Sequence, residues 1–127
     1  KSIMALVDRQ DLCAMIDGSM TSKKGKEQRR QALEDMRNGT KHYLFATYSL
    51  AKEGLDIPRL DRLYLTTPHK DKSTVLQSVG RIRRRFEGKT EPIVYDFVDD
   101  NIEYCVKAHK TRRTTYKKID CIIDKKY

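Results

Sequence analysis

The apolar residues of this chain fall into short runs separated by polar segments of helical period. Four runs have the length and the β-branched and aromatic content of buried strands. They are residues 3–7, residues 43–47, residues 60–66 with Leu63, Tyr64 and Leu65 at the centre, and residues 93–98. Between them, residues 27–38 put Ala32, Leu33 and Met36 on one side of a predicted helix that Gly39 stops. Ser73 is placed to cap a second helix running to about Arg84. Asp99 or Asp100 would cap a long basic helix toward Ile119. Strands that alternate with helices predict an α/β fold in which a parallel sheet carries helices on both faces. No internal repeat or low-complexity linker breaks the pattern.

One run conflicts with it. Ala14, Met15 and Ile16, before Asp17 and Gly18, read as a further short strand, yet only residues 8–13 separate it from the first run. A parallel crossover needs about a dozen residues or more. Two solutions follow: one helix over residues 7–15, or a chain that lacks a segment between Asp8 and Met15. The second is the expectation here, with a strand over residues 2–7 lying parallel to one near residues 14–17.

Composition narrows the function. The 127 residues suit one domain. No apolar run approaches the roughly 18–20 residues that cross a bilayer, and no apolar leader with a small-residue cleavage site opens the sequence. Three scattered cysteines, Cys13, Cys105 and Cys121, lack the spacing of a disulfide framework or zinc site and fit a reducing compartment. His42, His69 and His109 show no metal spacing, so no metal site is expected. The net charge of +9 fits either a polyanion partner or a merely basic soluble domain.

Two constellations carry candidate chemistry. At about 100° per residue, Gln77, Arg81 and Arg84 fall within roughly 60° of one another on a helix, with Val75, Val79 and Ile82 opposite. Gly80 beside this stripe leaves room for close approach. Arginine stays charged and forks onto phosphate oxygens, so the stripe is either a phosphate grip or a solvated basic face. The second constellation follows the strand ending at Thr47. Ligands of open α/β sheets gather at the carboxyl ends of strands. There Thr47 and Ser49 can offer hydroxyls to a phosphate, and Asp56, between Gly54 and Pro58, can accept from a ribose hydroxyl. The alternative is that residues 56–58 only turn the chain into the next strand.

These residues resemble a known family. Gln-x-x-Gly-Arg-x-x-Arg over residues 77–84 is similar to motif VI of superfamily 2 helicases. Ala46-Thr47 followed by Glu-Gly-Leu-Asp-Ile-Pro over residues 53–58 is similar to their motif V. Asp17-Gly18-Ser19-Met20, with Gln28 and Arg29 heading a helix, resembles the segment before motif V. The resemblance runs in order over residues 1–99 and implies the second RecA-like domain of a DEAD/DEAH-type or type III restriction-like motor. Residues 100–127 would form a basic helical extension packed on the same domain. Gln77 at the head of motif VI resembles DEAH-like, phage or bacterial DNA helicases more than DEAD-box RNA helicases. DNA is therefore favoured over RNA, in the cytoplasm of a bacterial or phage-infected cell.

The resemblance also implies roles. Arg81 and Arg84 would be arginine fingers on the terminal phosphates of ATP, and Gln77, Gly54 and Asp56 would lie at the nucleotide, Asp56 near its ribose. Thr47, Ser49 and Gly18 would meet the nucleic-acid backbone. No Gly-x-x-x-x-Gly-Lys-Ser/Thr loop and no acidic magnesium box occurs in these residues; residues 18–26 mimic the former at the wrong spacing. ATP and Mg²⁺ would thus be held mainly by an N-terminal RecA-like domain of a longer chain. The rival readings are a basic module without motor activity and the translocase part of a nuclease. Among the remaining basic residues, Lys107, Lys110, Arg112, Arg113, Lys117 and Lys118 form either a solvated face or a phosphate contact. Tyr104 and Tyr116 could stack bases, but their rings are expected to pack in the core, and Cys105 is expected to be a small apolar core residue.

Overall fold

In the computed structural model, which describes residues 2–49 and 55–124, the chain divides into two compact units, Lys1–Arg59 and Leu60–Tyr127. In the first unit, helix α1 (Ser2–Ala5) and a 3-10 turn (Gln10–Leu12) precede strand β1 (Cys13–Ile16). Helix α2 (Lys23–Asn38) and strand β2 (Tyr43–Ala46) follow. Strands β1 and β2 pair in parallel, Cys13 opposite Tyr43 and Ile16 opposite Ala46.

Helix α2 begins one turn before the sequence-based expectation because Ser22 caps it, its hydroxyl accepting from the Gly25 amide at 3.0 Å. It ends where expected, at Gly39, whose φ of 82° is the left-handed conformation that glycine adopts without a Cβ penalty. Its apolar side packs Ala32 and Leu33, with Met20 and Leu44, onto buried Ile16 and Leu55.

The first apolar run is not a strand. Residues 2–5 are helical, and neither a strand over residues 2–7 nor one helix over residues 7–15 forms. The partner of β1 is β2. The geometric conflict disappears without an inserted segment. The Val7 amide bonds to the Met4 carbonyl, and the Gln10 side-chain amide donates to the carbonyls of Met4 (2.6 Å) and Val7 (2.5 Å). The Leu12 amide then bonds to the Arg9 carbonyl. Six residues that could not span a crossover suffice for a turn.

In the second unit, strand β3 (Arg62–Leu65) is followed by helix α3 (Lys72–Ile82), strand β4 (Ile93–Asp96) and helix α4 (Glu103–Lys118). Strands β3 and β4 pair in parallel, Tyr64 opposite Tyr95. The cap of α3 is Asp71 rather than Ser73: its carboxylate accepts from the Ser73 amide at 3.1 Å. Helix α4 has no side-chain cap; Asp99 instead accepts from the Asn101 amide in the preceding turn. Val75, Val79 and Ile82 of α3, Leu65 of β3, and Cys105, Ala108 and Tyr116 of α4 are buried. Tyr64, Tyr95 and Phe97 stay partly exposed, the two tyrosine rings stacked at 4.8 Å.

A charged side chain lies inside this unit. Arg112 is 1% exposed. Its Nε and one terminal nitrogen donate to the two Asp96 oxygens at 2.9 and 2.7 Å, and the other terminal nitrogen to the His69 carbonyl at 3.1 Å. The Tyr116 hydroxyl donates to Asp96 at 2.7 Å. Arg112 is therefore neither a solvated charge nor a phosphate contact; it joins α4 to β4. Tyr104 is also not core: it is half exposed, with the Lys70 ammonium 4.7 Å from its ring centroid.

Candidate functional site

The first unit gathers its candidate residues at the carboxyl edge of the β1–β2 pair. Parallel pairing puts Asp17 and Thr47, the residues after Ile16 and Ala46, at the same end. Past β1, the Asp17 carboxylate accepts from the Ser19 amide at 2.8 Å and from the Ser19 hydroxyl, which turns the chain sharply. Gly18 is exposed, and a Cβ there would meet nothing within 4 Å, so local packing does not demand glycine at that position. Past β2, the exposed Thr47 and Ser49 hydroxyls lie 3.1 Å apart. They present two hydroxyl groups side by side at a strand end, a geometry suited to adjacent phosphate oxygens.

Asp56 is set by its neighbours. Leu55 and Ile57 are 7% and 1% exposed, and the alternation of an extended chain turns Asp56 to the surface between them. The Arg37 guanidinium fixes its carbonyl at 2.9 Å. Gly54 lies outside the described residues.

The second unit carries the arginine stripe. The face of α3 formed by Val75, Val79 and Ile82 is buried to within 2% exposure, which leaves Gln77 and Gly80 outward as expected. Gln77 reaches back to the Ser73 hydroxyl at 3.5 Å. A Cβ at Gly80 would meet nothing within 4 Å, so the surface beside Arg81 is open. Arg81 is half-buried, and its Nε is enclosed with no hydrogen-bond partner. A buried donor left unpaired costs about 1–3 kcal/mol.

Arg84 differs from its expected setting. The helix ends at Ile82, with Arg83 as its cap at φ −84° and ψ −4°, so Arg84 lies two residues beyond it. It is exposed, and its carbonyl accepts from the Lys89 ammonium at 2.7 Å. Sequence reasoning gave no role to Arg83, Arg85, Phe86 or Lys89, which line a basin of about 600 Å³ after the helix; the consecutive arginines were the available signal. Among the described residues no group of three or more histidine, cysteine or acidic side chains is arranged to hold a metal.

Parallel strand pairs with helices packed against them, and paired hydroxyls at the carboxyl end of β2, make this a protein of the α/β class. The chain belongs to the helicase conserved C-terminal domain family, which matches residues 4–86. It is 36% identical over 91 residues to a protein of Acanthamoeba polyphaga mimivirus provisionally named an ATP-dependent RNA helicase, covering 72% of this chain and 17% of that one. A provisionally named helicase of Sulfolobus islandicus filamentous virus is 34% identical, over 62% of this chain and 14% of its own length. A third, of Escherichia phage T5, is 32% identical, over 57% and 16%. The chain thus spans about one-sixth of the relatives it matches. In fold it is similar to the C-terminal domain of the DEAD-box protein Dbp5, with a TM-score of 0.60 at 20% identity over 88% of this chain and 58% of that one.

Proposed function

We propose that this chain is the second motor domain of an ATP-dependent nucleic-acid helicase or translocase. In that role it supplies arginine fingers to ATP and backbone contacts to the nucleic acid. The observation that carries the reading is the enclosed, unpartnered Nε of Arg81 beside the open surface at Gly80. A terminal phosphate oxygen would supply an acceptor to this guanidinium once its side chain turns outward. Phosphoryl transfer is catalysed mainly by positioning and by charge placed around the migrating group, and an arginine finger is worth about 10³–10⁵ in rate. Arg81 and Arg84 would supply that charge. Gln77, Asp56 and Gly54 would meet the nucleotide, while Thr47, Ser49 and Gly18 would meet the phosphate backbone.

The partner is an N-terminal RecA-like domain of the parent chain, which would hold Mg²⁺ and the phosphate loop. ATP would close the two domains and hydrolysis reopen them, converting the cycle to stepping along the strand. DNA is the favoured strand on the evidence of Gln77, whereas the name of the mimivirus relative points to RNA. Stimulation of hydrolysis by either polymer separates these.

The test is made in the parent protein. Arg81→Ala and Arg84→Ala should each lower nucleic-acid-stimulated ATP turnover a hundredfold or more with little change in ATP affinity, because the guanidinium acts on transition-state charge. Arg81→Lys should not restore turnover, since an ammonium lacks the fork. Unchanged turnover in both alanine variants would overturn the reading.

A further inference from the structure

The connection between α3 and β4 contains Arg83, Arg84, Arg85 and Lys89 within seven residues, with Phe86 among them. Such a charge run is expected to splay into solvent, yet here both ends are tied. At one end an Arg83 terminal nitrogen donates to the Ile119 carbonyl at 3.3 Å, and the Lys89 ammonium to the Arg84 carbonyl. In the middle the Lys89 amide bonds to the Phe86 carbonyl at 3.1 Å, a turn that Gly88 permits with φ of 74°. At the other end the Thr90 hydroxyl donates to Asp61 at 2.6 Å, and an Arg62 terminal nitrogen donates to the Glu91 carbonyl at 3.0 Å. The loop is thereby held around an open basin of about 600 Å³.

Its chemistry is selective. Four cations line it against two carboxylates, those of Glu87 and Glu91. The carbonyl end of α3 would repel an anion, but Arg83 caps that end and Lys89 occupies the carbonyl beyond it. Arg85 is exposed and pairs with no acidic group among the described residues. Phe86 is 42% exposed. Burial lowers the affinity of Lys89 for its proton. The volume falls within the roughly 300–1,000 Å³ of ligand pockets, and the open side allows a chain to enter and leave.

We propose that residues 83–92 form a subsite for single-stranded nucleic acid, in which Arg85, Arg83 and Lys89 hold backbone phosphates and Phe86 stacks one base. The subsite deepens the motor reading and rests on it for the choice of a polymer over a free nucleotide. Arg84, assigned above to ATP, is not used in its test.

The test uses fluorescein-labelled (dT)12 and the 127-residue chain, with binding followed by anisotropy between about 20 and 200 mM salt. Phe86→Ala should weaken binding about fivefold or more at unchanged salt slope, as for loss of one base stack. Arg85→Ala should weaken it and lower the logarithmic salt slope by about 0.7, one single-strand phosphate contact. Lys24→Ala, the same charge change on exposed α2, should have a smaller effect than Arg85→Ala. Wild-type binding by both basin variants, or an equal loss in Lys24→Ala, would overturn the subsite. Displacement of the oligonucleotide by millimolar ATP in the wild type but not in Phe86→Ala would also overturn it, since the occupant would be a free nucleotide. Loss of binding in the basin variants sustains the subsite even where Arg81→Ala leaves parent turnover unchanged, so the two readings fail separately.

Discussion

At the scale of single residues, Asp96 holds the most consequential position outside the candidate site. It accepts two bonds from the buried Arg112 guanidinium and one from the Tyr116 hydroxyl, and His109 Nδ1 lies 3.5 Å away. Removing one partner of a buried ion pair strands the other charge, at a cost of about 3–5 kcal/mol. Asp96→Ala should therefore destabilise the domain by about that amount in urea denaturation, whereas replacing Asp96 and Arg112 together by apolar residues should cost much less. Tyr116 adds a pH dependence. Burial first, and then its bond to Asp96, raise its pKa well above 10. The stabilisation is complete below pH about 10, where an unfolded tyrosine keeps its proton. Above it the unfolded chain loses the proton first, so stability falls as pH rises. Tyr116→Phe should fall less steeply than wild type between pH 9.5 and 11, as read by urea midpoints.

At the scale of elements, Gly25 shows packing overruling propensity. Alanine is favoured over glycine in a helix by about 1 kcal/mol. A Cβ at Gly25, however, would lie 2.9 Å from the Met20 Cα and 3.2 Å from the Ser22 hydroxyl that caps α2. Gly25→Ala should thus lower the melting temperature, with a loss of about 1–3 kcal/mol. The three long helices were legible in the sequence from their apolar period and the four strands from their short apolar runs, and helix ends shifted by a few residues where a cap was misassigned. Asp71 outcompeted Ser73 because, two residues earlier, its carboxylate accepts from the Ser73 amide and so draws Ser73 into the first turn of the helix. The run over residues 3–7 was misread for a different reason. Five apolar residues carry no period that separates strand from helix, and what settles them is Gln10, which closes the turn from a distance that no pattern marks.

At the scale of the molecule, the proposed half-motor role, with a net charge of +9 and no Walker-type loop in these residues, makes two predictions for this chain by itself. Purified residues 1–127 should show no ATP hydrolysis above background and should bind single strands weakly, with affinity falling steeply as salt rises. Robust turnover, or affinity indifferent to salt, would contradict the half-motor reading. The candidate site was legible only as residue types. Spacing placed Gln77 and Arg81 on the outward side of α3, but it could not show that the Nε of Arg81 is enclosed, because that depends on the neighbours the helix meets. Nor could it show that Arg112, one of six cations written alike near the carboxyl end, points inward to an aspartate sixteen residues earlier.

The Asp96–Arg112–Tyr116 cluster also constrains the order in which descendants of this sequence can diverge. Tyrosine to phenylalanine forfeits a single hydrogen bond, typically about 1 kcal/mol, and is a step a lineage survives. Losing the carboxylate or the guanidinium first strands a charge and passes through a poorly folded ancestor. Positions 96 and 112 should therefore change as a pair, while position 116 drifts alone.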